Sequence, residues 1–391
     1  MLNISQNEIF QDCKQRKAFQ GHGWLTQGPI CPTTRAMDSR PIQLTKTLRT
    51  PGDLAAAGLI APSAIPGLTT VGTRYAVAIP PALVQAMTSA GDEAANIARQ
   101  FVPDTRELDV RPEERVDPIG DIAHSPVKGI VHRYPDRVLL MPTLTCAVYC
   151  RFCFRREVVG AEAALTTAER DAALAYIRAT PTIWEVILTG GDPLVLSDRR
   201  IGELISALDS IPHVKVIRIH SRVPVADPAR IDDGLIAALK RTGKAMFVAV
   251  HCNHAGELTS QATAACGRLS DAGIPLLAQS VLLAGVNDTV EDLENLFRTL
   301  VAARIKPYYL HQLDYAPGTS HFRVPLERGQ ALVQSLRGRL SGLALPTYIL
   351  DIPGGAGKVP VAAGYLSPEE DGTYLIRDPA GSHHSYPPSP P

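Results

Sequence analysis

The sequence predicts an α/β fold built around a parallel sheet. Between residues 138 and 351, short runs of aliphatic and β-branched residues alternate with amphipathic helical segments, and six strand–helix units follow one another. Before residue 131 the apolar residues recur at helical spacing instead. A chain of 391 residues is long enough for one large domain and a smaller one. We therefore expect a small helical N-terminal domain and a sheet that is either open or closed into a partial barrel.

The domain boundaries follow changes in this pattern. The first 36 residues have neither helical nor strand periodicity, and Met37 follows them, which indicates a disordered leader or a start codon at Met37. We expect the helical domain at 37–131, the barrel at 132–345 and a C-terminal segment at 346–377. Residues 378–391 are rich in Pro and Ser, which predicts a disordered tail.

Each element of the predicted barrel has its own signal. The predicted strands are Val138–Leu144, Glu185–Leu188, Val214–His220, Ala245–His251, Pro275–Leu283, Pro307–Asp314 and Pro346–Asp351. The predicted helices are Thr167–Arg178, Arg199–Ser210, Pro228–Arg241, Leu258–Ala272 and Val290–Ala303. Thr166 and Glu169 have the spacing of a capping box at the start of the first of these helices.

Charge and hydropathy exclude several classes of function. The 39 Lys and Arg residues balance 39 Asp and Glu residues, so the chain lacks the basic excess that attracts nucleic acid or anionic lipid. No apolar run approaches the ~18 residues of a membrane span, and the polar N-terminus does not resemble a signal peptide. We expect a cytoplasmic protein with no nucleic acid or membrane partner.

The seven cysteines are an odd number, which argues against a disulfide framework and for metal or catalytic use. Cys146, Cys150 and Cys153 form a C-x3-C-x2-C motif directly after the first barrel strand, where barrel enzymes place their active sites. Three thiolates can hold three irons of a 4Fe-4S cluster and leave the fourth iron open to a ligand. A zinc site would normally need a fourth protein ligand, and chance clustering in a turn is the remaining alternative.

This motif, with Phe152 before its last cysteine, resembles the signature of the radical S-adenosylmethionine (SAM) superfamily. The resemblance implies a partial (β/α)6 barrel and a SAM molecule bound to the open iron. The segment from Gly190 to Pro193 is similar to the glycine-rich segment that lies beside SAM in that superfamily. By itself a glycine pair after a strand is usually only a turn. The SAM-binding residues that the resemblance implies are Gly190, Gly191, Asp192 and Gln279.

A second motif places Lys358 after a glycine loop, from Asp351 to Gly357, at the end of the last barrel strand. Glycines let the backbone approach a ligand closely, and a lysine amine beside such a loop can form a Schiff base. A phosphate loop would need Ser or Thr after the lysine, and Val359 stands there. A solvated lysine in a turn is the alternative without a function.

Together these motifs resemble the lysine 2,3-aminomutase family over residues 129–360. The similarity includes Arg133–Arg137 (RYPDR), the segments starting at Ser221, His251 and Gln279, and His321–Arg323. The resemblance implies an isomerase that uses pyridoxal 5'-phosphate (PLP) together with SAM and the cluster. It also implies that Lys358 carries PLP and that Arg133 and Arg137 bind its phosphate. Without the resemblance, these two arginines would be assigned to surface ion pairs with Asp136.

The resemblance also implies how a lysine substrate is selected. Arg155 corresponds to the arginine that binds the substrate carboxylate, and its planar fork suits bidentate binding. Asp314 and Asp351, each placed at a predicted strand end, correspond to the carboxylates that bind the distal ammonium. A buried ammonium needs such partners, although a single Asp at these positions would often be a turn cap. We predict conversion of L-lysine to β-lysine.

Three alternatives stay open. The branch that supplies β-lysine to elongation factor P is similar in Cys150–Arg156 and in Pro307–His311 but departs from the loop at Asp351–Gly354. A 2,3-aminomutase for another amino acid, such as arginine, comes next, and an iron–sulfur redox sensor or carrier is the non-enzyme alternative.

No cysteine follows Cys266, so we expect no C-terminal zinc site. We expect a flavodoxin or ferredoxin as electron donor and a homo-oligomeric assembly.

Overall fold

A nine-stranded sheet in the order β1 to β9 forms the centre of the molecule in a computed structural model. The structure describes residues 45–160, 164–362, 364–370 and 373–386, so the predicted leader at 1–36 and residues 387–391 lie outside the described residues. The strands are β1 Ile130–Tyr134, β2 Arg137–Thr143, β3 Glu185–Gly190, β4 Val216–Ser221, β5 Ala245–His251, β6 Leu276–Val281, β7 Ile305–His311, β8 Thr347–Ile352, β9 Gly357–Pro360, β10 Leu366–Pro368, β11 Tyr374–Arg377 and β12 His383–Tyr386.

Strands β2 to β8 are parallel, and β1 and β9 pair antiparallel at the two edges. The hydroxyl of Tyr134 on β1 accepts a hydrogen bond of 2.8 Å from the backbone N–H of Lys358 on β9. This contact between the edge strands requires the sheet to curl into a nearly closed barrel. The predicted α/β class and partial barrel are therefore confirmed.

Helices connect the parallel strands and cover the outside of the barrel. The helices are α1 Pro51–Ala56, α2 Ile65–Arg74, α3 Pro81–Ser89, α4 Ala94–Arg99, α5 Thr167–Arg178, α6 Asp198–Asp209, α7 Val223–Ala226, α8 Asp233–Leu239, α9 Ser260–Asp271, α10 Val290–Ala302 and α11 Leu326–Leu336. Thr166 accepts a hydrogen bond from the backbone N–H of Glu169 at the start of α5, as its capping box predicts. None of the described helices is long and apolar enough to cross a lipid bilayer.

Side chains alternate across the barrel wall, and this alternation places polar side chains in the interior. On β4, Ile217 and Ile219 pack into the main apolar core between the sheet and the helices. Arg218 and His220 therefore point to the other face, which is the barrel interior. The His220 ring lies 6.1 Å from that of His251 on β5. The main core lies outside the barrel wall, and the interior presents groups that can bind a polar ligand.

Helices α1, α3 and α4 contribute to a smaller core that includes Leu83 and Phe101, together with Val148 of the cysteine loop. The carboxylate of Glu107, which follows these helices, is fully buried and accepts hydrogen bonds from Arg151 and Arg156. Arg151 donates to it at 2.6 Å and 2.9 Å. The N-terminal helices are thus tied to the loop that carries the cysteines by apolar contacts and by a buried charge cluster.

Several elements differ from the sequence prediction. Strand β7 ends at His311, so Asp314 lies three residues beyond it rather than at its end. Lys358 is the second residue of β9 in a hairpin with β8, and not part of the loop itself. The predicted helix Pro228–Arg241 is interrupted, because Asp232 caps a new helix, α8, by accepting from the backbone N–H of Leu235.

Strand β1 and helix α11 are not predicted by the sequence pattern. His132 and Arg133 interrupt the apolar alternation of β1, and α11 begins after Pro325 without a side-chain cap. The predicted disordered tail is partly wrong, since β12 pairs with β11 in a three-stranded antiparallel sheet with β10. Backbone pairing with the exposed edge of β11 orders a segment that has no apolar pattern of its own.

Candidate active site

Cys146, Cys150 and Cys153 lie on the loop after β2, at the end of the barrel where the parallel strands terminate. The three thiols are free and half-buried, and a tight turn joins the backbone N–H of Cys153 to the carbonyl of Cys150. Burial raises the pKa of all three, that of Cys153 to about 11. Within the described residues no group of three His, Cys, Asp or Glu side chains forms a ready-made metal site. The assignment of these three cysteines as ligands of a 4Fe-4S cluster therefore stays a prediction.

The predicted SAM-binding glycines pack directly against the start of the cysteine loop. Gly190 ends β3 with a φ of 103°, and the backbone N–H of Gly191 donates to the carbonyl of Thr143. A Cβ atom at position 191 would lie 2.4 Å from the carbonyl oxygen of Thr145. Only glycine allows this close approach. Gln279 lies on β6 opposite His251, on the face of the sheet that forms the barrel interior.

The carboxylate of Asp192, a residue also predicted to bind SAM, is hydrogen-bonded to other groups of the protein. Its carboxylate is buried and accepts hydrogen bonds from the hydroxyl of Ser221 at 2.8 Å and from the backbone N–H groups of Arg222 and Val223. Burial raises the pKa of this carboxyl group, and the hydrogen bonds oppose that effect. The side chain holds the segment after β4 against the segment after β3.

Lys358 and Asp351 form an ion pair at the same end of the barrel. The Lys358 Nζ atom lies 2.5 Å from both carboxylate oxygens of Asp351, which faces it across the β8–β9 hairpin. His311 Nδ1 lies 3.6 Å from the same carboxylate. Burial raises the pKa of Asp351, but His311 and the Lys358 ammonium together lower it to about 2. Asp351 is therefore ionised and forms an ion pair with Lys358.

Asp314 lies in the same electrostatic environment without such a partner. Among the described residues, none donates a hydrogen bond to its carboxylate or forms an ion pair with it. Burial raises the pKa of Asp314 to about 7, and the negative charge of Asp351 acts in the same direction, while Lys358 and Arg155 oppose it. The predicted pair of aspartates thus converges beside Lys358, with one carboxylate paired and one available.

Arg155 and Arg133 meet at a residue that the sequence analysis did not identify. Asp121 accepts hydrogen bonds of 3.1 Å and 2.6 Å from Nε and Nη2 of Arg155, and one of 3.0 Å from Nη2 of Arg133. Arg133 Nη1 also lies 3.8 Å from Asp351. One partly buried carboxylate thereby fixes two of the predicted ligand-binding arginines relative to each other.

Arg137 is not in this group of charges. It begins β2 with its side chain one-third exposed and forms an ion pair of 2.6 Å with Asp136. Its guanidinium also lies 3.8 Å above the ring of Tyr134, the residue whose hydroxyl contacts Lys358. Arg137 therefore forms an ion pair with Asp136, whereas Arg133 forms its ion pair with Asp121.

The segment from Asp117 to His124 covers the hairpin turn that precedes Lys358. The backbone N–H of Gly354 donates to the carbonyl of Pro118, at 3.2 Å. A Cβ atom at Gly120 would lie 2.6 Å from the backbone of Gly354, so the backbones of these two segments are in contact with no side chain between them. This segment supplies Asp121 and packs against the turn that leads to Lys358.

Two further participants, His311 and Asp121, were missed because no local pattern marks them. Asp121 stands 34 residues before its partner Arg155, and His311 is separated from Asp351 by 40 residues. The only available signal was their position, Asp121 twelve residues before the RYPDR segment and His311 within a predicted strand. A partial barrel brings such residues together only after it has closed.

Two family models match the chain. Residues 140–300, which include the cysteine loop, match the model described as the radical SAM superfamily. Residues 333–390, which include Lys358, match the model described as lysine-2,3-aminomutase.

Curated relatives agree with these matches. The chain is 43% identical over 291 residues to the L-lysine 2,3-aminomutase of Acetoanaerobium sticklandii, an alignment that covers 74% of this chain and 70% of that protein. It is 42% identical to the L-lysine 2,3-aminomutase of Clostridium subterminale, with the same coverage of both chains. It is 36% identical over 287 residues to the L-lysine 2,3-aminomutase of Escherichia coli, covering 73% of this chain and 83% of that protein.

Proposed function

Because the chain belongs to the lysine 2,3-aminomutase family of radical SAM enzymes, we propose that it moves the α-amino group of L-lysine to C3 and forms β-lysine. The observation that carries this proposal is the convergence of Asp314, Asp351 and Lys358 at the mouth of the barrel, near Arg155. This arrangement offers a cation to an amino acid carboxylate, and to its distal ammonium the carboxylate of Asp314, with that of Asp351 beside it in an ion pair with Lys358. Such an enzyme is an isomerase.

The family implies a 4Fe-4S cluster, SAM and PLP as cofactors, and the residues present fit them. When bound, the cluster and SAM supply hydrogen-atom abstraction, and PLP supplies delocalisation of electrons. Cys146, Cys150 and Cys153 offer three free thiols on one loop, and each must release a proton on binding iron because burial keeps the thiols protonated. We assign SAM to the surface next to this loop formed by Gly190 and Gly191, with Gln279 in the adjoining interior.

Lys358 is the proposed attachment residue for PLP. Two contacts hold Lys358 in place. Its side-chain amine pairs with the carboxylate of Asp351, and its backbone N–H donates to the hydroxyl of Tyr134. To act as a nucleophile it must lose the proton that Asp351 stabilises. We propose that Arg133 binds the phosphate, and that Arg137 reaches it through the stack on Tyr134 after leaving Asp136.

The remaining groups orient the substrate. Asp121 occupies Nε and Nη2 of Arg155, which leaves Nη1 to bind the substrate carboxylate. Asp314 is the first partner for the substrate ammonium, because Asp351 is already paired with Lys358. The segment that contains Gly120 packs against the hairpin turn before Lys358 and fixes its position relative to Asp121.

The substrate proposal predicts a strong effect of Asp314→Asn. A hydrogen bond to a charged group contributes about 1.5–3 kcal/mol, so kcat/KM for lysine should fall about tenfold or more. Anaerobic steady-state assays of the reconstituted enzyme measure this change. Asp271→Asn, at a surface ion pair with Arg304, is the matched control and should leave kcat/KM unchanged. Normal use of lysine by the Asp314→Asn enzyme would remove the main support for the lysine assignment.

The same residue predicts a pH dependence. The raised pKa of Asp314, about 7, means that the free enzyme loses this negative charge as the pH falls through neutrality. We therefore expect kcat/KM for lysine to decrease from pH 8 to pH 6, and the Asp314→Asn enzyme to lack this dependence. A pH profile that is identical in the two enzymes contradicts the assigned role.

Asp121→Asn should weaken substrate binding more than it slows the reaction. Without its carboxylate, Arg155 loses the partner that fixes its orientation, and we expect KM for lysine to rise about tenfold with a smaller change in kcat. Asp121→Glu keeps the charge and should restore part of the loss. A fall in kcat at constant KM would show that Asp121 does not act through the substrate-binding arginine.

The direct test is an anaerobic assay of reconstituted protein with lysine, arginine and glutamate in competition, followed by separation of the β-amino acid products. Lysine should be the preferred substrate, and glutamate should be excluded by the two carboxylates. Preference for arginine would retain the site but change the substrate. No product in the presence of a fully loaded cluster would favour the redox carrier.

We also propose a low-potential flavodoxin or ferredoxin as the electron donor and the cytoplasm as the compartment, since free thiols and a reduced cluster require reducing conditions. Three exposed apolar side chains on β10 to β12, Leu366, Tyr374 and Tyr386, support a homo-oligomer. Sedimentation of the purified protein tests this assembly.

A further inference from the structure

A buried arginine points at one of the three cysteines. Arg222 follows β4, and its Nη1 atom lies 3.2 Å from Sγ of Cys150. Its Nη2 atom donates to Gln100 at 2.7 Å and to Glu257 at 2.5 Å. The arginine is 6% exposed and its guanidinium lies 4.6 Å from the Phe101 ring centroid. A charge in this position is shielded from solvent and acts on the sulfur over a short distance.

This geometry does not depend on the contact with sulfur. The backbone N–H of Arg222 donates to the carboxylate of Asp192 at 2.7 Å, which fixes the start of the side chain. Glu257 is fully buried and is itself held by the Gln100 amide at 2.9 Å and by the backbone N–H groups of Asn253 and His254. The guanidinium is thus held by two groups from separate segments of the chain, Gln100 and Glu257, and the backbone of Arg222 is held by a third, Asp192. Nη2 is satisfied without any cysteine, whereas Nη1 has its hydrogen bond only to Cys150 among the described residues.

We propose that Arg222 and Glu257 set the reduction potential of the 4Fe-4S cluster, through the hydrogen bond and the charge that they present to Cys150. The inference rests on the proposed function, since it takes Cys150 to be a ligand of that cluster. Hydrogen bonds to the ligand sulfurs and the local charge are among the factors that set the potentials of iron–sulfur clusters. Arg222 therefore acts on the cluster through Cys150 and does not itself react.

The two side chains act in opposite directions. Reduction adds one electron from a low-potential donor to the cluster and breaks no bond, so the reduced form carries one more negative charge. The N–H group and positive charge of Arg222 stabilise this reduced form, and the negative charge of Glu257 destabilises it. Removal of Arg222 should make the potential more negative, and removal of the charge of Glu257 should make it less negative.

The experiment is an anaerobic redox titration of the reconstituted holoprotein, in which dithionite supplies the electrons and electron paramagnetic resonance measures the reduced cluster. For Arg222→Gln we expect the ratio of reduced to oxidised cluster at a fixed potential to fall about tenfold, which corresponds to about 59 mV. For Glu257→Gln the ratio should rise, and for Arg222→Lys, which keeps the charge but loses the fork, it should fall by less than for Arg222→Gln.

Arg218→Gln is the matched control, because it breaks another buried Arg–Glu pair, with Glu185, at the opposite end of the barrel strands. It should leave the potential unchanged. Three results would overturn the inference. The reduction potential could shift with the same sign in Arg222→Gln and Glu257→Gln, it could shift equally in the control, or it could shift in neither variant. If Arg222→Gln fails to fold, the opposite shifts of Glu257→Gln and Arg222→Lys decide the question.

The parent protein separates this inference from the proposed function. If it binds no iron, the cluster assignment and the inference both fail. If it binds a cluster, cleaves SAM and forms β-lysine while the variants keep its potential, only the inference fails.

Discussion

Replacement of Cys146, Cys150 and Cys153 together by alanine should give a protein that binds no iron and does not cleave SAM. These are the cysteines that share one loop at the end of the parallel strands, and a cluster cannot be held without its thiolates. Iron and sulfide analysis after anaerobic reconstitution measures the first effect, and the formation of 5'-deoxyadenosine measures the second. We expect both signals to fall to background.

Cys252→Ala and Cys266→Ala are the controls for this result. Both thiols are buried outside the cysteine loop, Cys252 after β5 and Cys266 within α9. Each variant should keep the full iron content and SAM cleavage. A complete cluster in the triple variant, or its loss in either control, would refute the assignment of the ligands.

Lys358→Ala should lower the formation of β-lysine by at least about a hundredfold, because it removes the attachment point that holds the reacting groups in register. Borohydride trapping of PLP followed by peptide mapping should place the pyridoxyl group on Lys358 in the parent protein. The variant should still bind iron, since the amine lies on β9 and the thiols on the loop after β2.

Lys306→Ala is the control for the lysine assignment. The Lys306 amine is already engaged by the carbonyl oxygens of Pro307 and Leu345, at 2.9 Å and 3.0 Å, which fits a structural role. This variant should retain the label and the activity. Recovery of the pyridoxyl group on Lys306 or Lys215 would show that Lys358 does not carry the cofactor.

The fold could be predicted from the sequence where local and long-range signals agree. Ala245–His251 is a continuous apolar run without competing turn residues, and its predicted bounds match β5. The signal failed where the structure depends on pairing with another segment. β9 has four residues and owes its conformation to β8, so the sequence alone indicated a loop around Lys358. β12 likewise depends on β11.

The candidate site was predicted as a set of residues rather than as a set of contacts. The motifs identified Asp314, Asp351 and Lys358, but not that Asp351 pairs with the lysine while Asp314 has no such partner. They identified Arg133 and Arg155 but not Asp121 between them. Pairing among charged groups depends on distances of a few ångströms across the closed barrel, and no spacing in the chain encodes those distances.

The contact between Glu107 and the two arginines of the cysteine loop bears on whether the barrel is an independent module. A chain shortened to start at β1 would keep every strand of the central sheet, yet it would lose Glu107 and the segments that bury Arg151 and Arg156, so that two charges which are buried and paired in the full chain would face solvent at the cysteine loop. In the full chain, removal of Glu107 alone would break these buried ion pairs at a cost of about 3–5 kcal/mol, a large share of the stability of a typical domain. The N-terminal helices are therefore an inseparable part of the catalytic unit, and recombination with other barrels would have to carry Glu107 along with the cysteine motif.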